Sequence, residues 1–228
     1  MTLLMIEDNF NTILKQIPTD VTLVAVSKTH TVEEILEVFN QGASDFGENK
    51  VQELISKYPF LPKYIRWHLI GHLQTNKVKL IAPFVYLIQS VDSLKLLNEI
   101  NKEACKNNRV IDCLLQIYIA SEDTKYGLDK DEAISIIQSE QYKDMRNIRI
   151  TGFMGMATFT DDVDQVRTEF RSLKNFFDTV KTQYFNDKEE FKILSMGMSG
   201  DYKIAIEEGS TMVRIGTAIF GERNYKKI

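Results

Sequence analysis

The chain has 228 residues, with 28 Lys and Arg against 32 Asp and Glu, so its formal net charge is −4. That length predicts one large domain or two small ones, and a chain of this size buries enough surface to need no disulfide or metal staple. No apolar run approaches the ~20 residues of a membrane span, and the acidic balance excludes the broad positive field of a nucleic-acid binder. The opening MTLLMIEDNF reaches Glu7 and Asp8 with no basic run before them, so no secretory leader is expected. Cys105 and Cys113 fit no zinc or redox spacing; as free thiols they suit a reducing, cytoplasmic compartment, and both are expected to be buried small residues. The basic stretch Arg223–Lys227 reads as a solvated terminus.

Strand-like and helix-like segments alternate along the chain. An N-terminal helix is expected over Leu3–Gln16, and Val21–Lys28 (VTLVAVSK) is a buried, β-branched first strand. Thr31 followed by Glu34 is a capping box opening a helix over Val32–Asn40, which Gly42 ends. Ala43–Asn49 is a weak second strand and Lys50–Lys57 a helix. Ile65–Gly71 is a third strand, followed by a helix over Gln74–Ile81 that Pro83 stops. Val85–Val91 is a fourth strand, with Asp92 capping a helix over Ser93–Asn107. Ile111–Ala120 is a fifth strand, and the loop SEDTKYG leads to a helix over Lys130–Ser139. Ile148–Thr158 is a sixth strand, Asp161–Tyr184 holds a long helix, and Phe191–Met198 is a seventh strand. Ser199–Asp201 caps a short helix to Glu207, and Thr211–Gly221 is the eighth strand.

Strands alternating with helices pair in parallel, because crossover connections join parallel neighbours. Eight such units predict an α/β protein of the (β/α)8 TIM-barrel class, a single domain over 1–228 with an extra N-terminal helix within 1–20 and a tail at 222–228. The rival doubly wound sheet lacks its G-x-G-x-x-G fingerprint here. In a barrel the active site lies at the C-terminal ends of the strands. That rule selects Lys28, Asn49, the His68–His72 region, Met156, Ser199–Gly200 and Arg214–Thr217.

Lys28 stands where an apolar strand opens into the barrel mouth, a place for a nucleophilic amine able to form a Schiff base; the plainer reading is a solvated surface lysine. Ser199 and Gly200 open a helix, and helix N-termini bind phosphate. Gly216 permits close backbone approach and Thr217 adds a hydroxyl; loops after strands seven and eight often carry phosphate. Arg214 shares a strand face with Gly216, so if that face is the interior its charge needs an acceptor, from a ligand ring nitrogen or from an inward carboxylate. His68 and His72 suggest H-x3-H, but on a strand they lie roughly 13 Å apart, and no metal site is expected. Trp67 and the Met-rich stretches GFMGMA and SMGMSG read as core filling.

Together AVSKTH at 25–30, FGENKVQE at 46–53, WHLIGHLQTNK at 67–77, KYGL at 125–128, GFMGMA at 152–157, SMGMSGDY at 195–202 and GSTMVRIGTAIFG at 209–221 carry a resemblance. The sequence resembles the pyridoxal phosphate homeostasis proteins, also called the proline synthase co-transcribed family. The resemblance implies a barrel like that of alanine racemase, with pyridoxal 5′-phosphate (PLP) as cofactor held as an internal aldimine on Lys28. It implies that Asn49 lies by the cofactor, Arg214 faces the pyridine nitrogen, and Ser199, Gly216 and Thr217 hold the phosphate, with His68, His72, Met156 and Gly200 near the site. It implies PLP homeostasis and supply to apo-enzymes, with little catalysis of its own. Alanine racemase places a second acid/base on a further β-rich domain, for which the seven residues after Gly221 leave no room, so an enzyme is not expected. A monomer is expected, with a dimer permitted. The alternatives are a racemase-like PLP enzyme and a cofactor-free aldolase; the latter needs a lysine late in the barrel, which the sixth strand lacks.

Overall fold

The computed structural model describes residues 3–120 and 127–222. Lys125 and Tyr126 of KYGL, the loop at 121–126 and the tail at 223–228 lie outside the described residues. Eight parallel strands close into a barrel in sequence order: β1 (Thr22–Val26), β2 (Asp45–Glu48), β3 (Arg66–Leu69), β4 (Leu87–Val91), β5 (Ile111–Tyr118), β6 (Ile148–Met156), β7 (Ile193–Ser195) and β8 (Met212–Ile215). Closure is made by β1 against β8, with Val24 opposite Arg214 and Ala25 opposite Ile215.

Helices cover the outside: α1 (Leu3–Leu14), α2 (Val32–Asn40), α3 (Val51–Lys57), α4 (Val78–Ile81), α5 (Leu94–Lys106), α6 (Lys130–Gln138), α7 (Glu140–Asp144), α8 (Val163–Tyr184), α9 (Tyr202–Glu207) and α10 (Thr217–Phe220). The capping box before α2 forms as expected: Thr31 accepts the Glu34 N–H, and Glu34 reaches back to Thr31 N–H at 2.8 Å. α1 packs on α10 and α2 and buries Ile6, Phe10 and Ile13. Among the described residues no helix is long and apolar enough to cross a membrane.

Several boundaries differ from the sequence reading. The helix expected over Gln74–Ile81 breaks into a 3-10 turn at Thr75–Lys77 and the short α4. α7 was not anticipated; Ser139 ends α6 and caps α7 by accepting the Tyr142 N–H. β8 stops at Ile215, and its expected continuation is the helical turn α10. Asp92 does not cap α5; the cap is Ser93, whose hydroxyl accepts the Leu96 N–H. Cys113 is buried, but Cys105 is exposed on α5.

Strand alternation sends one residue in two into the barrel. The lower interior is apolar, with Val24, Leu87, Leu114, Met154 and Met212 packed together. Above it the interior turns polar, with His68, Gln89, Ser195 and Arg214 all buried. The opposite face of each strand packs on the helices, and Trp67, Phe46, Phe153 and Phe170 are fully buried in that outer layer. Phe153 stacks on Phe176 at 5.1 Å and meets Phe191 edge-on at 5.4 Å, pinning α8 to β6. Phe153→Ala is expected to cost about 3–5 kcal/mol, measured by urea unfolding with an unchanged denaturant slope; a loss within about 0.5 kcal/mol, as at a surface position, would contradict this packing.

Candidate functional site

A cavity of about 530 Å³ opens at the C-terminal ends of the strands. Its wall includes Lys28, Asn49, His72, Met156, Ser199, Gly200, Arg214, Gly216 and Thr217, so all but one of the site residues expected from sequence come together there. The exception is His68. It lies one layer deeper, fully buried, with Nε2 3.0 Å from Asp45 and Nδ1 2.9 Å from Gln89. His72 has left the strand, so the two histidines point to different places despite their shared parity.

Strand period explains the lining. From the interior position of Val24, the same face of β1 continues through Val26 to Lys28, and both of these line the cavity. From Met212 the face of β8 continues through Arg214 to Gly216. Asn49 continues β2, and its backbone is approached so closely that a side chain on Gly71 would come within 2.4 Å of the Asn49 carbonyl oxygen. Any residue larger than glycine there would displace Asn49.

Arg214 forms the floor. Its guanidinium is buried, Nη1 donates to Ser195 Oγ at 2.6 Å and Nη2 donates to the Gly155 carbonyl at 3.0 Å. Those two bonds engage two of its five N–H donors. No carboxylate pairs with it among the described residues. Burial lowers the guanidinium to about 10 against a pull upward from Asp201, so it stays cationic at neutral pH. The inward-carboxylate partner entertained from sequence is absent from the described residues; Ser195 Oγ and the Gly155 carbonyl are the acceptors instead.

The hydrogen bonds that hold Arg214 continue across the barrel. Ser195 Oγ donates to Gln89 Oε1 at 2.7 Å, and Gln89 Nε2 donates to His68 Nδ1 at 2.9 Å. His68 Nε2–H donates to Asp45, and Arg66 donates to both Asp45 oxygens at 2.8 and 2.5 Å. Read in this direction, the chain turns His68 Nε2 to the Asp45 carboxylate and sets the Gln89 amide against Nδ1. Burial alone would raise the Asp45 carboxyl, but the bonds from Arg66 and His68 outweigh it and hold it well below the usual carboxylate range.

Beside Lys28, the loops after β7 and its barrel neighbour β8 form a cradle of N–H groups. Ser199 does not cap α9; Asp201 occupies the capping position, and its side chain accepts the Met198 N–H at 2.5 Å. The Ser199 hydroxyl instead accepts from the Gly216 and Ala218 N–H groups, each at 3.3 Å, and ties the two loops together. Among the described residues no acceptor takes the N–H groups of Ser199, Gly200 or Thr217. Gly197, at φ +95°, makes the turn out of β7; a side chain there would meet Ala205 at 2.6 Å. These donors at the starts of α9 and α10 suit an anion.

Sequence reasoning missed part of the wall. Asp92, read as a cap, holds His72 Nδ1 at 3.1 Å on the cavity side. Gln116 and His30 also line it. The methionines split by height along the chain: Met154 and Met196 are buried, while Met156 and Met198, two residues on, reach the mouth. Lys203 lies outside the lining, over the Tyr202 ring. Among the described residues no group of three or more His, Cys, Asp or Glu side chains gathers as a metal site.

The family model for the alanine racemase N-terminal domain matches residues 2–224. A pyridoxal phosphate homeostasis protein of Aquifex aeolicus is 41% identical over 204 residues, 89% of this chain and 87% of that protein. The chain belongs to the pyridoxal phosphate homeostasis family. The human family member is 37% identical over 90% of this chain and 78% of its own. A further relative, PipY of Synechococcus elongatus, has been solved with PLP bound; it is 31% identical, its TM-score is 0.84, and the match covers 95% of this chain and 100% of that one. Alanine racemase of Clostridium difficile, at 13% identity and a TM-score of 0.74 over 97% of this chain and 57% of its own, shares the barrel fold.

The relay to Arg214 makes a pH prediction. Asp45 titrates below its ordinary value of 3.8 in the folded state, so its contribution is present above that pH and is lost as the pH falls below it. Asp45→Asn should cost about 1.5–3 kcal/mol at neutral pH. The gap between wild type and variant should narrow as urea unfolding is repeated toward about pH 3; a pH-independent gap would contradict the relay.

Proposed function

We propose that this chain binds pyridoxal 5′-phosphate covalently at Lys28 and takes part in intracellular PLP homeostasis and supply, with little or no turnover of its own. The observation that carries the reading is Arg214, a buried cation without a carboxylate partner among the described residues, lining one cavity with a strand-end lysine and a cradle of N–H groups. These three features match the three chemical handles of PLP: a ring nitrogen, an aldehyde and a phosphate. The names of the family relatives and the PLP-bound PipY structure support the same reading.

On this reading the N–H groups of Ser199, Gly200 and Thr217 and the Thr217 hydroxyl take the phosphate, and Gly216 lets it approach the backbone closely. Arg214 donates to the ring nitrogen, Asn49 stands beside the ring, and Met156 closes the mouth. When bound, the group supplies an aldehyde that condenses with a primary amine, forming a C=N bond and releasing one water. Lys28 provides that amine. The chain, 1–228, acts as one PLP-binding barrel in the cytoplasm, as a monomer, handing PLP to apo-enzymes.

Arg214 also sets the balance between carrier and catalyst. A guanidinium keeps its proton, so it leaves the ring nitrogen unprotonated, and an unprotonated ring is a poor electron sink. A racemase-like activity is the second reading, favoured by His72, an imidazole held by Asp92 on the same cavity wall and able to move a proton. Turnover of D- and L-amino acids by the PLP-loaded protein separates the two.

The proposal is tested by mixing the protein with PLP, recording the visible spectrum before and after borohydride, and mapping the reduced peptide by mass spectrometry. The label is expected on Lys28, and Lys28→Ala is expected to lose it while melting like wild type. Arg214→Glu should weaken PLP binding about ten- to hundredfold. A label that persists in Lys28→Ala, on Lys203 for example, would remove Lys28 from the site.

A further inference from the structure

Behind Lys28, outside the cavity, a buried ionic cluster grips the backbone on both sides of this residue. Lys57 Nζ, at the end of α3, donates to the Ser27 carbonyl oxygen at 2.8 Å. Glu53, one turn earlier on α3, accepts the Thr29 N–H at 2.5 Å. Ser27 Oγ donates to Glu48 Oε1 at 2.7 Å. Lys57 then bridges the two carboxylates, at 2.8 Å to Glu48 and 2.6 Å to Glu53. None of Glu48, Glu53 and Lys57 lines the cavity.

Stability alone gives no reason for such a cluster. Glu48 is fully buried and Lys57 nearly so, and replacing a buried ionic cluster by apolar side chains of similar volume is often neutral or stabilising. The cluster is also incompletely satisfied: among the described residues nothing hydrogen-bonds to the buried Glu48 Oε2 and Thr29 Oγ1. It holds a strained turn as well. Thr29 has φ +67°, a left-handed conformation that a β-branched residue rarely adopts and that persists only where surrounding contacts enforce it. What an ionic cluster supplies and apolar packing cannot is a fixed direction for the peptide groups flanking one residue.

We propose that Glu53 and Lys57 are positioning residues: from α3 they clamp the Ser27 carbonyl and the Thr29 amide, and so aim the Lys28 side chain into the cavity. They touch no ligand and act through Lys28, and the inference rests on the reading of Lys28 as the covalent attachment point. The reaction they assist is balanced by the amine and aldehyde alone: the Lys28 nitrogen bonds to the aldehyde carbon, and the carbonyl oxygen leaves as water.

The test compares wild type with Glu53→Gln, Lys57→Met and Lys57→Arg, all checked by thermal melting. Three readings are taken: hydrogen exchange of the Thr29 amide, the rate of covalent loading of Lys28 by PLP, and affinity for pyridoxine 5′-phosphate, which lacks the aldehyde. Glu53→Gln and Lys57→Met should exchange Thr29 faster and load about tenfold more slowly, with pyridoxine 5′-phosphate affinity unchanged. Lys57→Arg, which keeps a cationic donor, should restore most of the loading rate. Loading at the wild-type rate in both Glu53→Gln and Lys57→Met would overturn the clamp. Failure of the wild-type protein itself to load would instead overturn the reading of the site, and the clamp with it.

Discussion

Arg214 is a buried cation with no carboxylate in ion-pair contact among the described residues, and much of the architecture follows from that. Burying the Arg214 guanidinium without hydrogen-bond partners would be prohibitive. The barrel answers with a directed chain of polar groups, Ser195, Gln89 and His68, that ends on a carboxylate at the far end of β2. Ser195 spends its own proton on Gln89, so it can only accept from Arg214. The negative charge of Asp45 is kept at a distance, while Asp201 on the cavity wall acts on Arg214 through space without an ion-pair contact among the described residues. On the proposed reading, the Arg214 charge meets an acceptor on the ligand and the loops meet its anionic group.

The remaining elements meet the same cavity from different sides. The hydroxyl of Ser199 joins the loops after β7 and β8, so the anion cradle is one body rather than two independent loops. Gly71 lets its own backbone press against Asn49, fixing that side of the wall. Next to it, from outside the barrel, α3 holds the peptides around Lys28. Floor, cradle and lysine are therefore each set by contacts outside the cavity, which leaves the interior free for the ligand.

The barrel and most of the site were legible in the sequence because both depend on strand period. Counting by twos from Val24 and Met212 places Lys28, Arg214 and Gly216 inward, and the C-terminal-face rule places them at the mouth. Irregular backbone was less legible. TAIFG reads as strand from its apolar content, but Gly216 turns its N–H to Ser199 and α10 begins at once. Asp92 before a helix looks like a cap, yet Ser93 takes that role and frees Asp92 for His72. The relay had a signal in the polar residues of otherwise apolar strands, Gln89 in VYLIQSV and Ser195 in FKILSMGM, since a buried polar group needs a partner. Their partners lie on strands far apart in sequence, which one-dimensional patterning cannot pair. The same limit hid the α3 clamp, whose residues stand on an ordinary helical face.

The central claim is that Arg214 meets the ring nitrogen of PLP and leaves it unprotonated. Nitrogen-15 NMR of the protein loaded with ring-labelled PLP tests this most directly. The account predicts the chemical shift of a neutral, hydrogen-bonded pyridine that does not titrate across the neutral range, and that moves when Arg214 is replaced. A pyridinium shift in the wild-type protein would contradict it.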